Sequence, residues 1–226
     1  MEIKVCHVSK RLGTTEVLHN IDMTMQSGKV YGLQGINGCG KTMLMRAVAG
    51  LIHPTQGEIL IDGMKYSDKD EFPPSMGILI EHPSFLEGYT GKENLWLLAQ
   101  IRGKCTIEDV EQAMQRVGLD SEDKRKYKKY SLGMKQRLGI ACAIMEKPDL
   151  LILDEPLIAL DKAGQEMVLQ LIGEEKERGA LVLMSSHDGG ILESVTDEIM
   201  ELTAGELTKH WKRNAEGTMV ETSICA

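Results

Sequence analysis

The chain has 226 residues, 42% of them hydrophobic, and a net charge of −8 from 34 acidic against 26 basic side chains. That length builds one large domain, or one domain with a subdomain, and buries a full core without disulfide or metal staples. The acidic surplus argues against a general nucleic-acid binder, no apolar run approaches the ~18 residues of a membrane span, the opening MEIKVCHVSK lacks a secretory apolar region, and five scattered cysteines without metal spacing read as reduced thiols.

Residues 2–8 alternate loosely, with Ile3 and Val5 on one face. Residues 21–26 alternate strictly, Ile21, Met23 and Met25 against Asp22, Thr24 and Gln26. Both predict strands of an antiparallel layer. Ser27-Gly28 is a turn, and residues 29–33 predict a buried strand. That strand runs into Gly35-Ile36-Asn37-Gly38-Cys39-Gly40-Lys41-Thr42, a phosphate-binding loop pattern. A helix is expected over 42–50, stopped by Gly50. Residues 58–63 predict a strand closed by an Asp62-Gly63 turn, and 77–80 another apolar strand, cut off at Glu81-His82-Pro83.

Residues 84–130 have a different texture, with helical patterns over 93–101 and 108–117. They predict a helical subdomain inserted in an α/β core. A further helix follows over 131–146, ended by Pro148. Residues 150–153 predict a short buried strand with Asp154-Glu155 at its end, then a helix over 163–176. The strand expected at 181–184 leads into Ser185-Ser186-His187-Asp188. A helix near 190–195, a strand near 198–202 and a turn at Gly205 complete the pattern, and the last dozen residues are expected to be loosely held. Strands alternating with helices imply a mainly parallel sheet, whose ligands gather beyond the strand C-termini. The phosphate loop, Asp154-Glu155 and His187 all fall there.

The residue types explain the chemistry. Glycines let backbone N–H groups of the loop turn toward one anion, and the following helix adds its positive end. Lys41 brings a charge to the outer phosphates, and Thr42 offers Mg²⁺ a hydroxyl. By itself Asp154-Glu155 reads equally well as a helix cap or a solvated turn. Beside a phosphate loop, Asp154 becomes a Mg²⁺ ligand and Glu155 the residue that orients the attacking water. A lone histidine after a strand is more often structural, but His187 shares this sheet edge and could reach a γ-phosphate. Ser131 reads as a helix N-cap, which is compatible with anion binding.

With these residues in view, the chain resembles the nucleotide-binding subunit of an ATP-binding cassette (ABC) transporter over about residues 2–208. GINGCGKT resembles Walker A, YSLGMKQRL a variant of the signature, LLILDEP Walker B, PLIALD the D-loop, and SSHD the histidine switch. SLGMKQRLGIA and LIEHPSF together look most like the subfamily that exports antibiotics, bacteriocins and lantibiotics. The resemblance implies an α/β P-loop NTPase (RecA-like) core with an antiparallel β layer and an inserted α-helical subdomain at about 84–146. The ATPase domain would span 1–208, with a C-terminal tail over 209–226.

It further implies ATP and Mg²⁺ held by Gly35, Asn37, Gly38, Cys39, Gly40, Lys41, Thr42 and Met43, with Asp161 and, by position, Leu12 beside the nucleotide. Lys41, Glu155 and His187 would be catalytic, and Thr42, Asp154 and Glu81 would face the metal. Ser131 and Gly133 would complete the site of a second ATPase subunit in a head-to-tail dimer. A separately encoded membrane permease would be the partner, placing the chain on the cytoplasmic face of the membrane, with no nucleic acid involved. Three departures from the family pattern stand out. Leu132 and Met134 replace a Gly and a Gln of the signature, Glu81 replaces the usual Gln, and Leu12 replaces the usual aromatic ring against adenine.

Other features weigh less. The run Lys124, Arg125, Lys126, Lys128, Lys129 reads as a solvated face, and the methionines as core filler. Phe85, Leu86 and Tyr89 form an apolar loop that suits a docking partner. Two rival readings are a DNA-repair or ribosome-associated cassette and a non-catalytic regulatory module. The first would need a coiled-coil insertion or a second cassette, and the second would lack Glu155 or His187.

Overall fold

In the computed structural model, residues 1–65 and 75–223 are described. Strands β1 (Glu2–Leu12) and β2 (Thr15–Gln26) pair antiparallel, Ile3 opposite Met25 and Val5 opposite Met23. β3 (Val30–Gln34) feeds α1 (Lys41–Val48). β4 (Gln56–Ile61) pairs antiparallel with β1, and a hairpin through Asp62 (φ 51°) and Gly63 (φ 77°) joins it to β5 (Met64–Lys65). Positive φ at both turn residues matches the twist of the two strands. These four strands make one sheet, in the order β2-β1-β4-β5.

The second sheet holds β6 (Met76–Leu79), β7 (Leu150–Leu153), β8 (Leu181–Ser186), β3 and β9 (Glu198–Thr203), all parallel. β10 (Glu206–Arg213) and β11 (Met219–Thr222) add antiparallel strands at one edge. Between β6 and β7 the chain forms α2 (Gly91–Arg102), α3 (Ile107–Arg116) and α4 (Leu132–Ile144). The first two begin with reciprocal caps, Thr90 with Glu93 and Thr106 with Asp109, which satisfy backbone donors left over at a helix start. α5 (Lys162–Glu177) precedes β8, and α6 (Gly189–Val195) precedes β9.

β7 is apolar throughout, and β8 is apolar up to Met184, because both faces of the sheet are covered. Leu150, Ile152, Leu181 and Leu183 face the antiparallel layer and α1, sharing a core with Ile3, Ile21, Leu44 and Met45. Leu151, Leu153, Val182 and Met184 face the helices, sharing a core with Leu138, Ile140, Ile144 and Leu171. The period of two along each strand divides its side chains between the two cores.

The end of the chain departs from the expected pattern. Residues 209–213 continue β10, and β11 pairs with it in place of a loosely held tail. Their side chains are mostly half-exposed or exposed, so these strands rest on backbone pairing and leave little hydrophobic periodicity to read. The cationic run is a surface of ion pairs. Lys124 meets Glu122, Arg125 meets Asp123 and Lys126 meets Glu93. Cys6, Cys39, Cys105 and Cys142 are free thiols, and Cys225 lies outside the described residues. Among the described residues no helix is long and apolar enough to cross a membrane.

Candidate nucleotide site

The parallel strands place β3, β7 and β8 side by side, so the loops after them meet at one edge of the sheet. There the loop 35–40 wraps the start of α1. Gly35 is packed too closely for a side chain. A Cβ there would run into the Leu202 carbonyl and come within 2.6 Å of the Cys39 sulfur. The loop is held from behind by Gly205, whose N–H donates to the Cys39 carbonyl (2.9 Å). α1 begins at Gly40 with no side-chain cap. Its first backbone N–H groups are therefore available to an anion, at the positive end of the helix dipole.

A cleft of about 190 Å³ opens at this point, lined by Asn37, Gly38, Gly40, Lys41, Thr42, Met43, Asp154, Glu155 and Val17. Lys41 is only 6% exposed, and its ammonium donates to the Gly35 carbonyl (2.6 Å) and the Ile36 carbonyl (3.3 Å). Cys39 is buried behind the loop, and neither it nor Gly35 lines the cleft.

Behind the cleft runs a continuous hydrogen-bonded chain. The Thr42 hydroxyl donates to Asp154 Oδ2 (2.6 Å), and the Ser185 hydroxyl donates to Asp154 Oδ1 (2.6 Å). Hydrogen bonds to an ionised acceptor are short and strong, and these two fix both oxygens of a buried carboxylate. Ser185 Oγ also accepts from the Glu155 N–H (2.9 Å), and the Asp154 N–H donates to the Leu79 carbonyl (2.7 Å). Glu155 Oε2 lies 3.0 Å from His187 Nδ1, whereas Oε1 is buried with no hydrogen-bond partner among the described residues. Glu155 has φ 46° and Ala159 φ 61°. Such backbone is strained for residues with side chains and persists where its surroundings over-determine it. Part of the restraint is Gln136 on α4, which is buried and donates to the carbonyls of Glu155 (3.3 Å) and Pro156 (3.1 Å).

Other predicted residues fall elsewhere. Ser131 caps α4, its hydroxyl accepting from the Met134 N–H (3.2 Å), and Leu132 beside it is 70% exposed. Gly133 packs against the loop after β7, where a Cβ would come within 2.8 Å of the Ala159 carbonyl oxygen. Asp161 caps α5 by accepting from the Gly164 N–H (2.9 Å). None of Ser131, Gly133 and Asp161 lines the cleft of this chain.

Leu12 is half-exposed at the end of β1 and outside the lining, which includes Val17 instead. Glu81, with φ 61°, also lies outside it and is paired with Arg46 at 2.6 Å. Sequence reasoning missed Val17, Gln136, Ser185 and Arg46. Ser185 could have been found as a hydroxyl at the end of a buried strand. Gln136 carried no signal beyond its polarity on an otherwise buried helix face.

Thr42 and Asp154 present two hard oxygen donors at the cleft. This fits Mg²⁺, which takes one or two protein oxygens and fills its remaining positions with water and phosphate.

Comparison with known proteins agrees with this geometry. The ABC transporter family pattern matches residues 18–158. The chain is 43% identical over 205 residues to the uncharacterized ABC transporter ATP-binding protein YybJ of Bacillus subtilis, covering 91% of this chain and 94% of that one. It is 38% identical to the bacitracin transport ATP-binding protein BcrA of Enterococcus faecalis, covering 98% of this chain and 74% of that one. Its fold superposes with a TM-score of 0.86 on a dimeric ATP-binding cassette bound to ADP and Pi, at 23% identity, over 94% of this chain and 99% of that one. The chain therefore belongs to the ABC transporter family, as an ATP-binding subunit.

Proposed function

We propose that this subunit hydrolyses MgATP and drives an exporter of antibiotic or antimicrobial-peptide type. The observation that carries the reading is the polar chain Thr42–Asp154–Ser185–Glu155–His187 beside the phosphate loop, with one buried carboxylate oxygen left unpartnered. Lys41 exchanges its two neutral carbonyl acceptors for the outer phosphates, whose negative charge attracts the ammonium more strongly. Thr42 and Asp154 would hold Mg²⁺, which when bound would supply positive charge to neutralise the phosphates. Glu155 Oε1 accepts a hydrogen bond from the attacking water and draws off its proton. The water oxygen bonds to the γ-phosphorus as the bond to the β–γ bridging oxygen breaks, releasing ADP and phosphate. His187, two-thirds exposed, turns toward the γ-phosphate.

Ser131, Gly133 and Asp161 lie away from this chain's own cleft, so they are assigned to the site of a second subunit in a head-to-tail dimer. The solved cassette of the same fold is itself dimeric. The permease is assigned to a groove of about 380 Å³ between Arg46, His82, Pro83, Phe85 and Leu98. Leu86, Tyr89, Leu97 and Ile101 nearby are exposed apolar side chains, an arrangement that marks a docking surface. Through it the subunit sits on the cytoplasmic face of the membrane. Phe85 packs edge-on against Tyr127 at 5.4 Å, so Leu98 is the better probe. MgATP turnover by the purified chain, and co-purification of its permease by the parent but not by Leu98→Asp, test the reading. Absence of turnover with the permease bound would refute the catalytic part.

A further inference from the structure

A further cavity, of about 420 Å³, is lined by residues of both sheets. It shares no residue with the nucleotide cleft or with the groove beside Phe85. Its apolar lining comes from Val5 and Met23, cross-strand neighbours on β1 and β2, and from Met200 on β9 and Leu207 on β10. Val5, Met23 and Met200 are buried, and Leu207 is half-buried. The volume, and the mix of an apolar wall with a few polar groups, suit a small-molecule site.

The titratable groups of this lining are mostly basic: Lys4, Lys209, Lys212 and His210, against Asp22. In a chain of net charge −8 that is a local inversion of sign. Asp22 is already engaged, its Oδ1 accepting from the His7 N–H (2.9 Å) and its Oδ2 lying 3.0 Å from His7 Nδ1. Lys4 meets Glu2 at 2.9 Å, and Lys209 stands 3.7 Å from Glu201. Lys212 lies 3.4 Å from Glu198, a carboxylate that also takes Lys29 at 3.0 Å and His210 Nε2 at 2.9 Å. One carboxylate shared by three basic groups leaves positive charge unbalanced at this end of β10. The three lysines of the lining are about half-exposed, where ion pairs are worth little and exchange readily for another anion. An apolar wall beside surplus cations selects a ligand that is hydrocarbon at one end and negative at the other. We propose that this cavity binds a medium-chain carboxylic acid, its tail against Val5, Met23, Met200 and Leu207 and its carboxylate at Lys4 and Lys212. Those two lysines stand on different sheets, so the ligand bridges β1 and β10.

The experiment titrates octanoate into the full chain and reads the heat of binding, with thermal melts to verify that each variant folds. Octanoate should bind saturably, with a Kd of about 1 mM or tighter. Hexanoate, two methylenes shorter, should bind roughly tenfold more weakly, because each buried methylene contributes to the tail's affinity. Lys4→Gln and Lys212→Gln should each weaken octanoate by about twofold or more, and the double variant by about fivefold. Octanol and octylamine should bind the parent at least about fivefold more weakly than octanoate. Lys124→Gln, on the helical subdomain, should leave the affinity unchanged. No saturable binding, equal binding of octanol, no effect of the two lysine variants, or an equal loss in Lys124→Gln would each overturn the proposal. Excess MgADP should leave octanoate binding as it is. Displacement by MgADP would place the carboxylate at the phosphate loop and overturn the assignment to this cavity.

Discussion

Replacing Glu155 by Gln isolates one atom's contribution. The amide keeps the side chain's shape and can still meet His187, which lies 3.0 Å from Oε2. The strained backbone at φ 46° is held by the Ser185 hydroxyl and by Gln136, and neither contact involves the altered group. Folding should therefore be unchanged. What is lost is the proton acceptor at Oε1, the buried oxygen without a partner. General-base assistance is worth roughly 10²–10⁴ in rate, or about 3–5 kcal/mol of barrier. ATP binding should persist or tighten, since a negative charge facing the phosphates is removed. The assay is phosphate release at saturating MgATP, paired with size-exclusion chromatography in the same nucleotide. The expected outcome is turnover reduced by at least about a hundredfold and an ATP-dependent dimer that does not dissociate. Turnover at the parent rate would show that Glu155 is not the base and would refute the reasoning.

Three further outcomes are expected. Leu12→Tyr should tighten ATP binding by up to ~1–2 kcal/mol if an aromatic ring at that position stacks on the base, and a titration showing no gain would assign the base to Val17 and its neighbours. Glu198 is buried, which pushes its carboxyl up, but hydrogen bonds from His210 and Lys29 and the charge of Lys212 outweigh this and hold it at about 2. Its folded pKa lies below the unfolded value, so the linked stability of roughly 3 kcal/mol is present above pH ~4.5 and is lost as pH falls toward 2. Glu198→Gln should flatten the acid limb of a melting-temperature profile, and an unchanged slope between those pH values would contradict the assignment. Gly133→Ala must displace the Ala159 carbonyl, at a cost of about 1–3 kcal/mol. That corresponds to a fall of roughly 2–12 °C in melting temperature, and a melt within a degree of the parent would show that the loop yields freely.

Much of the molecule could be read in order along the chain. The phosphate loop, the buried strands β7 and β8 and the helices between β6 and β7 each carry a local signature of glycine spacing, apolar runs or caps. Such signals depend on near neighbours, so the sequence alone determined the kind of fold, the anion-binding loop and the acidic pair after β7. What escaped it depends on residues far apart in the chain. The edge strands β10 and β11 are held by backbone pairing with few buried side chains. Gln136 becomes part of the site because α4 packs beside the loop after β7, and Ser185 because β8 lies next to β7. Asp154 is bracketed by the hydroxyls of Thr42 and Ser185, which come from α1 and β8. Glu81, which the family resemblance placed at the metal, is paired with Arg46 outside the cleft. Only tertiary structure decides which of two partners a carboxylate meets, because that choice is made by distance and charge between separate elements.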